Sequence, residues 1–325
     1  MRNVEQLETR RLFASFTAAS VADLIADINA ANAAGGSNTI TLKAGTTFSL
    51  NAVDNSTDGP TGLPVVAAGD NLSIIGNGDS IQRSTAKGVP AFRLFDVVSG
   101  ASLTLNNLTL SRGAAPSGGG VFNQGTLTLS GVTVQDCVAQ GSSGNANGGG
   151  VFSAGVLAIA DSAIKSNQAL GANPTLIGSS GGGAAGGGLF VGGGNATVTN
   201  STFSSNAARG GDGANGGKFY YPGSKTPFLI RGGAGGSGYG GGIGVFGGTL
   251  ALAGTAVSGN SATAGTGGSS PGGLAKGADG AGCGGGMYIA SAASASLDSF
   301  SVAHTSGNTA STSDNDIFGT YTILA

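Results

Sequence analysis

Gly118-Gly119-Gly120-Val121, Gly148-Gly149-Gly150-Val151, Gly186-Gly187-Gly188-Leu189, Gly240-Gly241-Gly242-Ile243 and Gly284-Gly285-Gly286-Met287 are five copies of one phrase, three glycines and an apolar residue. A β-rich stretch follows: Thr126-Leu-Thr-Leu129 then Val132-Thr-Val134, Val156-Leu-Ala-Ile159 then Ala163-Ile164, Ala196-Thr-Val-Thr199 then Thr202-Phe203, Thr249-Leu-Ala-Leu252 then Ala256-Val257. An internal repeat decides architecture first, because a unit this small cannot bury its apolar face alone and must stack on its neighbours. The glycines are not a phosphate-binding loop, since they recur in register and lead into strands, where a nucleotide loop opens a helix.

Glycine-poorer versions of the unit precede them: Thr39-Ile-Thr-Leu42 with Thr47-Phe-Ser-Leu50, Asn71-Leu-Ser-Ile-Ile75 with Ser80-Ile81, and Ser102-Leu-Thr-Leu105 with Leu108-Thr-Leu110. With a closing strand near Tyr321 to Leu324, the count is about seven or eight coils of an all-β parallel β-helix with three sheets around a dry core. A β-sandwich also has short strands and turns, but it does not predict one phrase recurring at one phase. Ahead of the coils, Val21, Leu24, Ile25, Ile28 and Ala31 share a helical face, with Ser20 as N-cap and Gly35-Gly36 as the stop. A helix over residues 20–34 is placed to cap the open end of the core, and residues 20–325 form the β-helix domain.

A second register runs through the repeat. Cys137, Asn167, Asn206, Asn260 and Asn308 follow the last strand of successive units, and an alanine stands two residues beyond each: Ala139, Ala169, Ala208, Ala262 and Ala310. Stacked amides can donate and accept along a column, so the asparagines read as an internal ladder.

The chain has 325 residues, 65 glycines and only 9% charged residues, yet its mean hydropathy is positive and its Val, Ile, Leu and Phe are regularly spaced. That pattern describes a core and not a disordered linker. A net charge of -2 with 14 scattered basic residues excludes a nucleic-acid surface. No run approaches the roughly 18 to 20 apolar residues of a membrane span. Cys137 and Cys283 fall three units apart, roughly 14 Å at one strand spacing per rung, too far for a disulfide; both are expected as free thiols.

Residues 1–19 differ in composition and read as a flexible sorting or export segment. Leu7-Glu8-Thr9-Arg10-Arg11-Leu12-Phe13 resembles the LEPR-XLL motif at the start of many large bacterial surface and secreted proteins, with Thr9 for proline and Phe13 for leucine. Thr9 to Phe13 also looks like a twin-arginine signal, although the apolar segment such a signal needs is short and polar here. Gly-Gly-Gly-Val-Phe with Ser201-Thr-Phe-Ser-Ser-Asn206 resembles the GGAI-like and FxxN repeats of bacterial polymorphic outer-membrane proteins. Thr39 to Leu42, Leu72 to Gly78 and Phe92 to Phe95 resemble the opening of secreted right-handed parallel β-helix proteins of the pectin-lyase-like superfamily. The resemblance implies an extracellular or cell-surface location. It is specific for fold and not for activity, because that fold carries lyases, hydrolases and adhesins alike.

Hydrolases of that superfamily resemble one another in paired aspartates, Gly-His-Gly and Arg-x-Lys. Here the only histidine is His304 and Arg-x-Lys is absent. A lyase would need an arginine base and Ca²⁺ held by several carboxylates. Arg83, Arg93, Arg112, Arg209 and Arg231 are available, and the best pair of acids is Asp136 with Asp161 on adjacent units, a candidate Ca²⁺ site.

Insertions over residues 140–147, 170–185, 209–239 and 263–283 emerge at one corner of successive coils, and such an edge is where solenoids place binding loops. Most of this sequence is glycine, serine and alanine, expected to supply flexibility. The exception is Lys218-Phe-Tyr-Tyr-Pro-Gly-Ser-Lys-Thr-Pro-Phe-Leu-Ile-Arg231. Lys218, Phe219, Tyr220, Tyr221, Lys225, Phe228 and Arg231 combine aromatic faces with donors and form a candidate site for a glycan or cell-envelope partner. Otherwise the loop packs its rings on the neighbouring sheet. The expected function is a non-catalytic surface, adhesion or matrix module, with a polysaccharide lyase as the alternative. Small outward residues such as Thr126, Thr128, Thr133, Ala158, Thr197, Thr199 and Ala251 favour the first.

Overall fold

The computed structural model describes residues 13–141 and 144–324. Helix α1 (Val21–Ala34) starts where the N-cap Ser20 Oγ accepts the Asp23 N–H at 3.2 Å, satisfying one orphan donor of the first turn, while the Asp23 carboxylate accepts the N–H of Ala19 ahead of the cap. It ends at Gly35, whose left-handed φ of 61° lets its N–H reach Ala31 O. Leu24, Ile28 and Ala31 are buried in the same core as Ile40 and Leu42 of the next strand. The Asn38 amide braces the helix end, donating to Ala31 O and to the Asp70 carboxylate.

The rest is a parallel β-helix. Its longest sheet has ten rungs, more than the seven or eight expected: Ala14–Ala18 adds a rung in register with Gly36–Leu42, and Thr322–Ile323 closes the far end as the sequence predicts. The segment 14–18 is therefore part of the coil and not of a flexible arm. The rest of the LEPR-XLL-like motif, residues 7–12, lies outside the described residues. Leu72, Leu103, Leu127, Leu157, Ala196 and Leu250 stack as one inward column, Ile74, Leu105, Leu129, Ile159, Val198 and Leu252 as a second, and all are buried. Alternation along each strand puts these columns inside and the intervening residues on solvent.

Instead of three sheets, the coils divide into parallel sheets of ten, eight, seven, six and four strands. The extra divisions come from one-residue corners. Gly131, Asp161, Asn200 and Gly254 turn the first corner in left-handed φ of 48° to 63°, and Asp136, Ser166, Ser205 and Gly259 turn the second at 53° to 64°.

The asparagine ladder forms as the register predicts. Asn167 Nδ2 donates to Asn206 Oδ1 at 3.0 Å, Asn206 to Asn260 at 2.9 Å and Asn260 to Asn308 at 2.9 Å. Each amide also donates to a carbonyl of the preceding coil, and each Oδ1 takes a backbone N–H as well. Asp316 ends the ladder, where only an acceptor is needed. The triple glycines serve the same corner. The third glycine packs flat on the ladder: a Cβ at Gly188 would sit 3.0 Å from Asn206 Cγ, and one at Gly242 3.1 Å from Asn260 Cγ.

Two further columns escape the reading of the phrase. Ser162, Ser201, Thr255 and Ser301 form a buried hydroxyl ladder at the first corner, each accepting an N–H from the coil before. Along the seven-stranded sheet the outward residues Phe122, Phe152, Phe190, Tyr288 and Phe318 stack ring on ring at 4.7 to 5.2 Å, with Phe246, just past the strand Ile243–Val245, supplying the ring where Gly244 holds the register. Where the next rung has Asp96 instead of a ring, the Arg93 guanidinium lies 4.6 Å over Phe122 and closes the stack.

Candidate binding edge

The three longer glycine-rich insertions, 170–185, 209–239 and 263–283, form an ordered layer and not flexible loops. Hydrogen bonds relay across them: Gly211 N–H to Gly182 O, Gly236 to Gly211, Gly265 to Gly236 and Gly280 to Gly265, all at 2.8 to 2.9 Å. A second relay runs three residues away, Ala214 to Ser179, Gly233 to Ala214, Gly268 to Gly233 and Gly277 to Gly268. Pairing at every third residue, with the segments antiparallel, is the period of polyproline II and not of a β ladder. The segments approach so closely that a Cβ on Gly211, Gly236, Gly265 or Gly280 would fall on the carbonyl oxygen of a neighbouring segment. Glycine is required here for contact between backbones, which composition alone reads as looseness.

Beyond this layer projects a two-stranded antiparallel hairpin, Gly217–Phe219 with Phe228–Ile230. Its aromatics do not lie on a sheet. Phe219, Tyr220, Tyr221 and Phe228 are 50 to 59% exposed, and Phe219 meets Tyr221 edge to face at 5.1 Å. Lys218 and Lys225 are exposed and form no ion pair among the described residues. Arg231 is committed to structure: Nε donates to Ala275 O at 3.0 Å and Nη2 to Lys276 O at 2.8 Å, tying the hairpin base to the next insertion.

Sequence reasoning missed the hairpin's neighbours. Ile177 packs beside Gly217, Ile230 beside Gly178 and Leu229 beside Gly272, so the turns at 176–178 and 271–273 flank the hairpin in one row. Leu176, Ile177 and Leu274 are exposed there, 74, 53 and 41%. Their signal was present as the aliphatic residues of the Pro174-Thr-Leu-Ile177 and Pro271-Gly-Gly-Leu274 stretches, hidden by the glycine around them.

The proposed cation pair does not assemble. Asp161 turns the first corner and Asp136 the second, at opposite ends of the paired strands Thr133–Gln135 and Ala163–Lys165. Five residues of extended chain separate their positions, on the order of 15 Å, whereas one Ca²⁺ holds its oxygens within about 2.6 Å. Both aspartates are exposed corner residues whose short side chains tolerate left-handed φ. Among the described residues no group of three or more His, Cys, Asp or Glu could hold a metal.

The arginines considered as bases are also engaged. Arg83 donates to Arg112 O, Arg112 to Gln82 Oε1, and Arg209 pairs with Asp212 at 3.3 Å. Arg93 is buried beside Asp96 at 3.7 Å and donates to Asp58 O; burial, partly offset by Arg93, pushes the Asp96 carboxyl up to about 6. His304 closes the short helix α2 (Ser299–Ala303) and stacks on Phe300 at 3.8 Å. A groove of about 570 Å³ lies where Gln140, Leu170 and Arg209 end three successive rungs, but no carboxylate lines it.

No family model, curated protein or solved structure matches this chain. Its chemistry is therefore read from the geometry alone. Cys137 and Cys283 are both free and buried, and desolvation pushes the Cys137 thiol up to about 12, the opposite of a nucleophile's environment. Among the described residues no helix is long and apolar enough to cross a membrane.

Proposed function

We propose that this chain is a non-catalytic, exported bacterial β-helix of the pectin-lyase-like type, serving as a surface, adhesion or matrix module that meets glycan or other cell-envelope partners through its insertion edge. The observation that carries the reading is the outer face of the longest sheet. In register along it stand Ser15, Thr39, Ser73, Thr104, Thr128, Ala158, Thr197, Ala251, Ser296 and Thr322. Small uncharged side chains offer neither the acid and base nor the cation ligands that polysaccharide cleavage needs. The engaged arginines and the separation of Asp136 from Asp161 support the same conclusion.

The test is an unsaturated-product absorbance assay over a panel of uronate polysaccharides, with and without Ca²⁺. No absorbance rise is expected on any of them. A rise that disappears in chelator would replace this reading with a lyase.

A further inference from the structure

The hairpin and its two flanking turns, which touch through Ile177 beside Gly217, Ile230 beside Gly178 and Leu229 beside Gly272, expose Leu176, Ile177, Tyr220, Tyr221, Phe228 and Leu274 along one edge. The unpaired charge on the hairpin is positive, while Asp212, which lines the hollow beside Ile177, and Asp279 are paired with Arg209 and Lys276. From Gly213 to Ala278 the chain has no acidic residue, yet Lys218, Lys225, Arg231 and Lys276 all fall in this span. Lys276 pairs with Asp279 at 2.8 Å, which leaves Lys218 and Lys225 to face solvent beside the rings.

A partner for this surface must accept aliphatic side chains, aromatic rings and cations together. A glycan uses ring faces and hydroxyl partners, but leucine and isoleucine offer it nothing. The hairpin also lacks the carboxylate and carboxamide side chains that hold sugar hydroxyls, and its Ser224 hydroxyl is spent on Thr226. A second copy docked by this face would bring like charges together. The interface of an anionic lipid bilayer meets all the requirements: tyrosine and phenylalanine settle at headgroup level, aliphatic tips enter the acyl boundary, and lysine meets lipid phosphate.

We infer that this edge docks the protein onto an anionic membrane surface, with the hairpin 217–230 and the turns at 176–178 and 271–273 as the inserted points. The polyproline II layer suits this role, because its inter-segment hydrogen bonds hold three tips in one row without a deep core beneath them. The inference rests on reading the insertion edge as the contact surface, and it names the partner as lipid.

The full chain is mixed with vesicles of phosphatidylcholine alone, or of phosphatidylcholine with phosphatidylglycerol, and floated on a density gradient; in parallel it is applied to insoluble cell-wall glycans. Flotation with the anionic vesicles is expected, reduced by high salt and by omission of phosphatidylglycerol. Lys218→Ala and Lys225→Ala should each weaken partitioning about fivefold, and the Tyr220→Ser/Tyr221→Ser pair by more than tenfold. All four side chains are exposed, so the variants should keep the wild-type circular dichroism. Absence of flotation with both vesicles, or flotation unchanged in the variants, overturns the inference. Retention on glycan that the tyrosine pair abolishes, without vesicle binding, overturns it in favour of a glycan partner and leaves the non-catalytic reading standing. Uronate cleavage with vesicle binding intact does the reverse.

Discussion

Replacing Asn206 with alanine tests whether the amide ladder holds the coils together. Asn206 is buried and its side chain makes four hydrogen bonds: Nδ2 to Asn260 Oδ1 and to Ile164 O, both 2.9 Å, and Oδ1 from the Asn167 backbone N–H and Nδ2, both 3.0 Å. Alanine removes all four. Asn167 Nδ2 keeps Val134 O and Asn260 Oδ1 keeps the Asn206 N–H, but the buried Asn167 N–H loses its partner. Four bonds worth about 1 kcal/mol each, with an orphaned donor costing about 1 to 3 kcal/mol, give a loss of roughly 5 to 7 kcal/mol.

The ladder also has a direction. Its amides donate toward the C-terminal end, so Asp316 can terminate it as a pure acceptor, while Asn206→Asp would turn a carboxylate oxygen toward Asn260 Oδ1 and Ile164 O. Asn206→Asp is therefore expected to be at least as damaging as the alanine, and Asp316→Asn mild. Asn71, exposed and bonded only to Ser37 Oγ at 3.3 Å, supplies the surface control, with Asn71→Ala within about 0.5 kcal/mol of wild type. Urea unfolding followed by circular dichroism reads these values. Because solenoid stability is a sum over neighbouring rungs, a central lesion should also broaden the transition. An Asn206→Ala protein within 1 kcal/mol of wild type would refute the ladder's energetic role.

Two other perturbations probe features that composition misreads. Gly236→Ala puts a Cβ onto Gly182 O and should cost about 1 to 3 kcal/mol by overpacking, whereas Gly144→Ala, with open space around the same atom, should be neutral or slightly stabilising in the same melts. Asp96 binds its proton more tightly in the folded state than in the unfolded chain, so the native protein carries the extra proton between about pH 4 and 6 and stability should fall as pH rises through that window, by on the order of 3 kcal/mol. Comparing wild type with Asp96→Asn across this range isolates the effect: the variant should lack this part of the slope, while the contributions of Asp27, Asp54 and Asp70, also raised by burial, remain in both. An identical slope in both proteins would discard the assignment.

The apolar columns, the capping helix and the amide ladder were legible in the sequence because each depends on local period and phase. Alternating Leu127 and Leu129, the Ser20 cap and the recurring Asn-x-Ala carry their meaning in spacing alone. The coil count came out low because Ala14–Ala18 has too few large apolar residues to announce a strand, and becomes one only by pairing with Gly36–Leu42. The hydroxyl column stands at a phase the triple glycine does not mark, whereas the aromatic column stands two residues after the third glycine at Phe122, Phe152, Phe190 and Tyr288 and is interrupted at Gly244.

Asp136 and Asp161 show the limit more sharply. Adjacent units made them neighbours in the text, but which corner each turns is decided by left-handed φ at 53° and 51° in two different turns.

The sequence by itself determined a parallel β-helix, a helical cap, an internal amide ladder and one edge that varies, since a stacked repeat transmits its phase from coil to coil. Only the tertiary structure decided what that edge is. A run of glycines has no side chains to carry a pattern, so its hydrogen bonds are defined by which segments lie beside it. Those neighbours turned apparent slack into an ordered polyproline II layer and brought the turn at 176–178, the hairpin 217–230 and the turn at 271–273, far apart in the chain, side by side on one exposed edge.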